Sequence, residues 1–435
     1  MDTLGWDIVS CLNLPCVNRQ LSSKDSTIPQ NFSAAGTDFV QYSVVGVFGV
    51  WQFVPGGAAQ TARLQVGIVS GTYTFGSGSA AQVANLAGVG VVLDVSLALL
   101  PSQDLAGASE LRFDLRAVGK AGATQVPGLV VPIGVVDPAK VLTAEMADSL
   151  PALIAGFLVA NAAQVRHVFA TVDPSAAAGT PWPAPVASIY VINAPNTGPA
   201  YLAILGVTTA RDTSQLPRAV DGALFAGGHD ACFAISAPMF LQHIIQPMLP
   251  GAYGHGTSAG TFRFNAASGA IESLQRIPTD GVKKGAITYE PYIDAMSVTL
   301  SGGCLVTSVN GGCDLKLNIS MSFSITSRTP AFYNGAEGTL GFLPDPDPEE
   351  HHSADIPWYD YFLGPIPDVI IAIVVPIIAS GIAADLTREM QQFSLAKSPP
   401  RTVRWAGLGE MAVATAGVMN GLYLLGDDPA SSAAT

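Results

Sequence analysis

Charge is scarce in this chain. Only 12% of its 435 residues are Asp, Glu, Lys or Arg, about half the usual share for a soluble domain. Basic residues are the scarcer sign: 20 Lys and Arg stand against 33 Asp and Glu, a formal net charge of -13. With no basic stripe to displace counterions from phosphates, the chain is a poor candidate for nucleic acid. The same deficit argues against docking on anionic membranes by charge alone. Any encounter with lipid must go through apolar contact. Long hydrophobic runs are also missing. No stretch reaches the ~20 apolar residues of a bilayer-spanning helix, although 49% of residues are hydrophobic and mean hydropathy is +0.38. So apolar a composition without a span implies a large interior, or apolar surface that something must cover. The length suffices for one large or two medium domains.

Targeting and cofactor motifs are missing too. The N-terminus, MDTLGWDIVS, carries no basic n-region and no cleavage site, so it is not read as a secretory signal. Synthesis in the cytoplasm is expected, with no export route specified. Cysteines number five, at 11, 16, 232, 304 and 313. An odd number without framework spacing fits a reducing compartment. Cys304 and Cys313 flank LVTSVNGG and are either two free strand cysteines or a pair across a hairpin. No nucleophile elbow, Walker or dinucleotide fingerprint occurs. GSGSAAQVANLAG is glycine-rich but lacks the lysine and spacing that cradle phosphate. No cofactor follows from the sequence.

What is present is mostly strand. Residues Phe39 to Val136 alternate in VQYSVVGVFGVWQFV, ARLQVGIVSGTYTF, VGVVLDVSLALL and SELRFDLRAV, separated by Gly, Pro, Ser and Asn clusters. The period then becomes helical through Leu142, Met146, Leu150, Leu153, Ile154, Phe157 and Leu158, with Pro151 marking a kink or a restart capped by Ser149. A second helix starts at Ser236 with Pro238 in its first turn, and Pro250-Gly251 stops it. Strands fill Gly260 to Phe342, and a hairpin turns at Asn310-Gly311-Gly312. After an acidic, proline-rich loop, VIIAIVVPIIASGIAA between Asp368 and Asp385 has no charge. A helix without a polar face must be enclosed on all sides. At 16 residues, with Pro376 inside, it is read as sheathed by protein or as lining a cavity whose contents are apolar. It extends over 367–395. The segment after Pro400 is either a strand pair or a last helix. Strands and helices in this order predict an α+β fold rather than a doubly wound sheet. Two loosely similar halves are expected, 1–215 and 216–426, followed by a disordered tail, 427–435.

The opening TLGWDIVSCLNLPCVNRQL, with Gly5, Trp6, Asp7, Val17, Asn18 and Leu21 in register, resembles the start of the clostridial P-forty-seven family. WQFVPGG, AISAPMFLQHIIQPML and the segment around Cys304 and Cys313 add to the likeness in the same order. Members of that family are encoded beside botulinum-type neurotoxins and their ORF-X partners. The resemblance implies the tubular lipid-binding (TULIP) superfamily, in which long, strongly curved antiparallel β-sheets wrap long α-helices around an apolar ligand.

Under that fold the tunnel lining is expected from Phe240, Ile244, Ile371 and Val375, each of which is otherwise plain core. Trp6 and Trp51 are read as core anchors, and Asp7 as a helix cap or the partner of Arg19. His351 and His352, among five acids, are read as a solvated loop, so no metal is assigned. His229, Asp230 and Cys232 alternate on a strand, which opposes a local Cys–His pair. No catalytic residue is assigned. The expected function is non-catalytic binding of a lipid or other elongated apolar molecule, with proteins of the same gene cluster as further partners. The alternatives are an interaction protein with a fully packed core, and a cyclase or isomerase of an apolar substrate.

Overall fold

The computed structural model describes residues 1–23, 27–37, 40–58, 60–120, 126–177, 183–253, 256–284, 286–316, 319–354, 366–376, 378, 382–392, 402–408 and 411–428. Three large sheets carry the fold, and among the described strands every pairing but one, Ala117–Val118 with Leu129–Val130, is antiparallel. A ten-stranded sheet is built from residues 31–172 plus the late strand Val403–Trp405. An eight-stranded sheet is built from residues 262–354. Between them runs a six-stranded sheet ordered Ala187–Asn193, Tyr201–Val207, Ile8–Asn13, Ala231–Ser236, Gly421–Asp427, Ala412–Val418. Three of these strands precede residue 210 and two close the chain.

The long strands curl because their ladders slip. Tyr42–Ala58 and Thr61–Phe75 shift register between Val47 and Phe48, between Phe48 and Trp51, and between Phe53 and Gly57. Each extra residue bends its strand and increases its twist. The concave face gathers Phe32, Phe48, Trp51, Phe53, Phe113 and Phe169 in edge or tilted contact. Helix Ala144–Ala160 lies across strands 31–36, 90–101 and 129–136, burying Met146, Leu150, Ile154 and Leu158. It runs unbroken through Pro151 and is capped by Thr143, whose Oγ1 accepts from the Met146 amide at 3.3 Å. Ser149 does not restart it. Its hydroxyl donates to the Glu145 carbonyl at 2.5 Å and lies 2.7 Å from the Tyr73 hydroxyl.

The second half departs from expectation in three places. First, the expected apolar helix is described over Ile366–Pro376 and Ile382–Gln392, and it is not enclosed all round. Residues 377, 379–381 and 393–395 of the expected helix lie outside the described residues. On Ile366–Pro376, Ile370, Ile371 and Val374 are buried, while Ala372, Ile373 and Pro376 face outward. Second, the hairpin turns at Gly302-Gly303, between strands Tyr292–Ser301 and Cys304–Lys316. Both glycines have positive φ, 60° and 82°, as a two-residue hairpin turn of this hand demands. Asn310 to Gly312 sit inside the strand, and a Cβ on Gly311 would collide with the Tyr292 carbonyl and the Phe323 ring. Third, Pro250-Gly251 does not stop the second helix. The segment is α-helical over Ala237–Phe240, widens to a π turn over Leu241–Ile245, and continues as α-helix over Gln246–Tyr253. The chain after residue 400 resolves into strands, Ala412–Val418 and Gly421–Asp427 pairing as a hairpin.

Among the described residues the longest stretch that is α-helical throughout is Ala144–Ala160, of 17 residues. The fold is mostly antiparallel β with curled sheets.

His167 is buried edge-on against Phe169, with ring centroids 4.6 Å apart, and burial pushes its imidazole down to about 4. The unfolded chain, with an ordinary value near 6.5, binds this proton more readily than the folded one. The folded state thus loses stability as pH falls from about 6.5 to 4, by roughly 3 kcal/mol at the lower end. His167→Leu is expected to flatten that part of a stability–pH profile measured by urea unfolding. An unchanged slope would show that other groups carry it.

Candidate functional site

The strand Ile8–Asn13 is buried on both faces. Ile8 and Leu12 join the large core, while Val9 and Cys11 join a smaller cluster with Trp6, Tyr201, Leu205 and Cys232. On the smaller cluster's side, Cys11 stands directly opposite Cys232, and the two form a disulfide across 221 residues of sequence. The cysteine count had suggested a reducing compartment, but disulfides persist in oxidising ones. Cys232 is thereby removed as a nucleophile. Cys304 and Cys313 are free thiols nine positions apart on one strand, so they do not lie across a hairpin.

The Gly-Trp-Asp motif pins the start of this strand. Trp6 is fully buried and donates its indole N–H to the Pro217 carbonyl at 2.8 Å. Asp7 neither caps a helix nor meets Arg19. Its carboxylate accepts from the Thr208 amide and hydroxyl, at 2.7 and 2.9 Å, and from Arg211 at 2.8 Å. Arg19 instead reaches Asp230 at 2.9 Å, with Asp428 at 3.9 Å. Asn13 donates to the other Asp230 oxygen at 3.0 Å, and His229 Nδ1 lies 3.2 Å from Asp427. This cluster locks the first strand and helix Leu14–Leu21 to residues near position 230 and to the end of the chain. Asp427 and Asp428, read as the start of a frayed tail, are part of it; residues 429–435 lie outside the described residues.

The four expected lining residues fall on two helical segments of one apolar core. Phe240 and Ile244 lie at the start of the π turn and within it, exposed by 0 and 1%. A π turn inside an α-helix commonly marks a functional segment. Ile371 is 3% exposed and Val375 is half-buried, both on helix Ile366–Pro376, which packs on strands 319–334 and 349–354. Helix Ile382–Gln392 covers strand Thr339–Phe342 and meets Gln246–Tyr253. There Thr387 both accepts from the Phe342 amide at 2.8 Å and donates to its carbonyl at 3.1 Å.

His351 and His352 are on a strand, Glu349–Ala354, not in an irregular loop. His351 faces Ser324 across the ladder, and His352 Nε2 lies 3.1 Å from Asp368 at the start of the apolar helix. Adjacent residues of a strand point to opposite faces, so these two imidazoles do not converge. Asp355 lies outside the described residues. Trp51 is buried at the centre of the aromatic cluster, as a core anchor should be.

These features define a class: a mostly antiparallel β protein with curled sheets and a central sheet whose neighbouring strands Ile8–Asn13 and Ala231–Ser236 are stapled by a disulfide. The chain belongs to the OrfX-like family, described as Protein OrfX2/OrfX3/P47, whose model matches residues 3–329. It is 23% identical over 363 residues to Protein P47 of Clostridium botulinum (strain Kyoto / Type A2), covering 80% of this chain and 82% of that protein. It is 22% identical over 346 residues to Protein OrfX3 of Paraclostridium bifermentans, covering 70% of this chain and 67% of that protein. The structure of P47 from Clostridium botulinum A2 superposes with a TM-score of 0.74 over 98% of both chains at 22% identity. At that identity the superposition speaks for the fold alone.

Proposed function

We propose that this chain is a non-catalytic accessory protein of a toxin-type gene cluster. In this reading it binds an elongated apolar molecule, a lipid or a compound of similar shape, beside the helices of its second half. The observation that carries the reading is the helix Ile366–Pro376. Asp368 is its sole charge, one side is buried, and Ala372, Ile373 and Pro376 are presented outward. Uncharged apolar surface of this kind calls for an apolar cover. Val375 stands half-buried at the edge of that face with Ile371 buried beside it, and in this reading Phe240 and Ile244 of the other helical segment complete the lining.

Organic extraction of the purified protein followed by mass spectrometry tests this. The wild type is expected to release an apolar molecule near equimolar amount. Val375→Gln is expected to release at least about tenfold less, because an amide left without a partner on an apolar seat costs on the order of 1–3 kcal/mol. Clean extracts from several wild-type preparations would overturn the reading.

A second reading is favoured by the near-complete burial of Phe240, Ile244 and Ile371, at 0–3% exposure. Their space is already filled by protein. On this reading the outward apolar groups meet a partner protein of the same cluster, extracts are empty, and Ile373→Asp abolishes co-elution with that partner.

A further inference from the structure

The ten-stranded sheet holds a polar cleft that the proposed function leaves unused. Strand Gly90–Pro101 outruns its neighbour Thr61–Phe75, whose pairing ends at Thr61 opposite Ser96. Beyond that point the Leu97 amide donates to the Tyr190 hydroxyl at 3.1 Å, and this hydroxyl donates to the Gln60 carbonyl at 2.7 Å. Tyr190 belongs to Ala187–Asn193, the outer strand of the central sheet. Where the two sheet edges part, a cleft of about 290 Å³ remains.

Its floor is a cross-strand row. Thr61 stands opposite Ser96, and Ser96 opposite Asp114, so all three point to one face. They are buried polar groups, exposed by 7, 5 and 5%. The walls include Ala98, Ile189, Val126 and Pro127. Asp114 Oδ1 accepts from Arg116 Nε at 2.7 Å. Its Oδ2 is buried with no hydrogen-bond partner among the described residues. A buried acceptor left unpaired costs roughly 1–3 kcal/mol, more when it is charged. Arg116 does not relieve this. Its side chain is 66% exposed and reaches the carboxylate from the rim.

We propose that this cleft binds a primary ammonium on a short apolar stem. Asp114 is its counter-ion, the Thr61 and Ser96 hydroxyls lie on the floor beside it, and Ala98, Val126 and Ile189 flank the stem. Three N–H donors on a compact cation suit a row of oxygens that a planar guanidinium at the rim does not reach. Arg116 is the resident competitor, and the incoming ammonium displaces it from Asp114.

Ligand-observed saturation-transfer NMR on the full chain, with n-butylammonium as probe, tests this. Tetramethylammonium, which has no N–H donor, and n-butanol, which has no charge, serve as controls. The wild type is expected to bind butylammonium and neither control. Asp114→Asn, which keeps the side-chain shape, is expected to weaken binding at least about tenfold. Arg116→Ala, at an exposed side chain, is expected to tighten it severalfold, and this arm stands even if Asp114→Asn folds poorly. A tripeptide with lysine at its centre separates the sources: tighter binding than the free amine points to a protein side chain, equal binding to a small amine. No transfer in either wild type or Arg116→Ala overturns the proposal, and so does binding that Asp114→Asn leaves unchanged.

Discussion

Replacing both Cys11 and Cys232 with alanine is expected to lower stability by about 2–5 kcal/mol, the upper part of the usual range for a lost native disulfide. The bridge joins the first strand of the chain to a strand 221 residues later. Opening so long a loop returns much conformational freedom to the unfolded chain. Alanine is the better replacement because both sulfurs sit in an apolar cluster, where a serine hydroxyl would add its own burial penalty. Urea unfolding should give a lower midpoint for the variant than for the oxidised wild type. Adding reductant should bring the wild type down to the variant. Thiol titration of the unfolded, unreduced wild type should find three free thiols, those of Cys16, Cys304 and Cys313. Five thiols together with matching midpoints would show that the bridge does not form.

Gly421→Ala carries the second large effect, a loss of about 3 kcal/mol or more. Gly421 opens the strand Gly421–Asp427 with φ of +146° and pairs with Ser236. An added Cβ would run into the Ile235 carbonyl and lie 3.0 Å from the Ser236 carbonyl carbon and 3.1 Å from the Ala237 amide. All of these are backbone atoms of a strand bonded on both sides and of the helix start that follows it. None can swing away as a side-chain tip would. Gly78→Ala is the matched control: φ is +63°, but open space surrounds the new methyl. It should cost only about 1 kcal/mol, from backbone strain alone. Equal midpoint shifts for the two variants would show that crowding at Gly421 has been absorbed.

Much of the architecture was readable without coordinates, and the misses share a cause. Helix Ala144–Ala160 was visible because Met146, Leu150, Ile154 and Leu158 repeat at its own period. The curled sheet of residues 42–136 was visible because its strands alternate. Strand Ile8–Asn13 was not, since its burial on both faces erases the alternation. The hairpin turn was placed at Asn310-Gly311-Gly312 because glycines there resemble a turn. They are small because Tyr292 and Phe323 crowd them, and the real turn uses the other glycine pair, Gly302-Gly303. The apolar helix was read as enclosed because nothing in its own sequence distinguishes a face turned to the core from one turned outward.

By itself, the sequence determined the chemical character of this protein: acidic, sparing of charge, rich in strands, without nucleotide or dinucleotide fingerprints, and with an opening motif shared with its family. These properties follow from composition and short-range periodicity, which depend only on residues a few positions apart. The tertiary structure alone decided which distant groups meet. Cys11 finds Cys232, Asp7 finds Arg211, Arg19 finds Asp230, and Asp114 comes to rest beneath Tyr190. Each meeting depends on how sheets built from opposite ends of the chain share one central ladder. That closure is a property of register and curvature summed over many strands, and no local window of residues contains it.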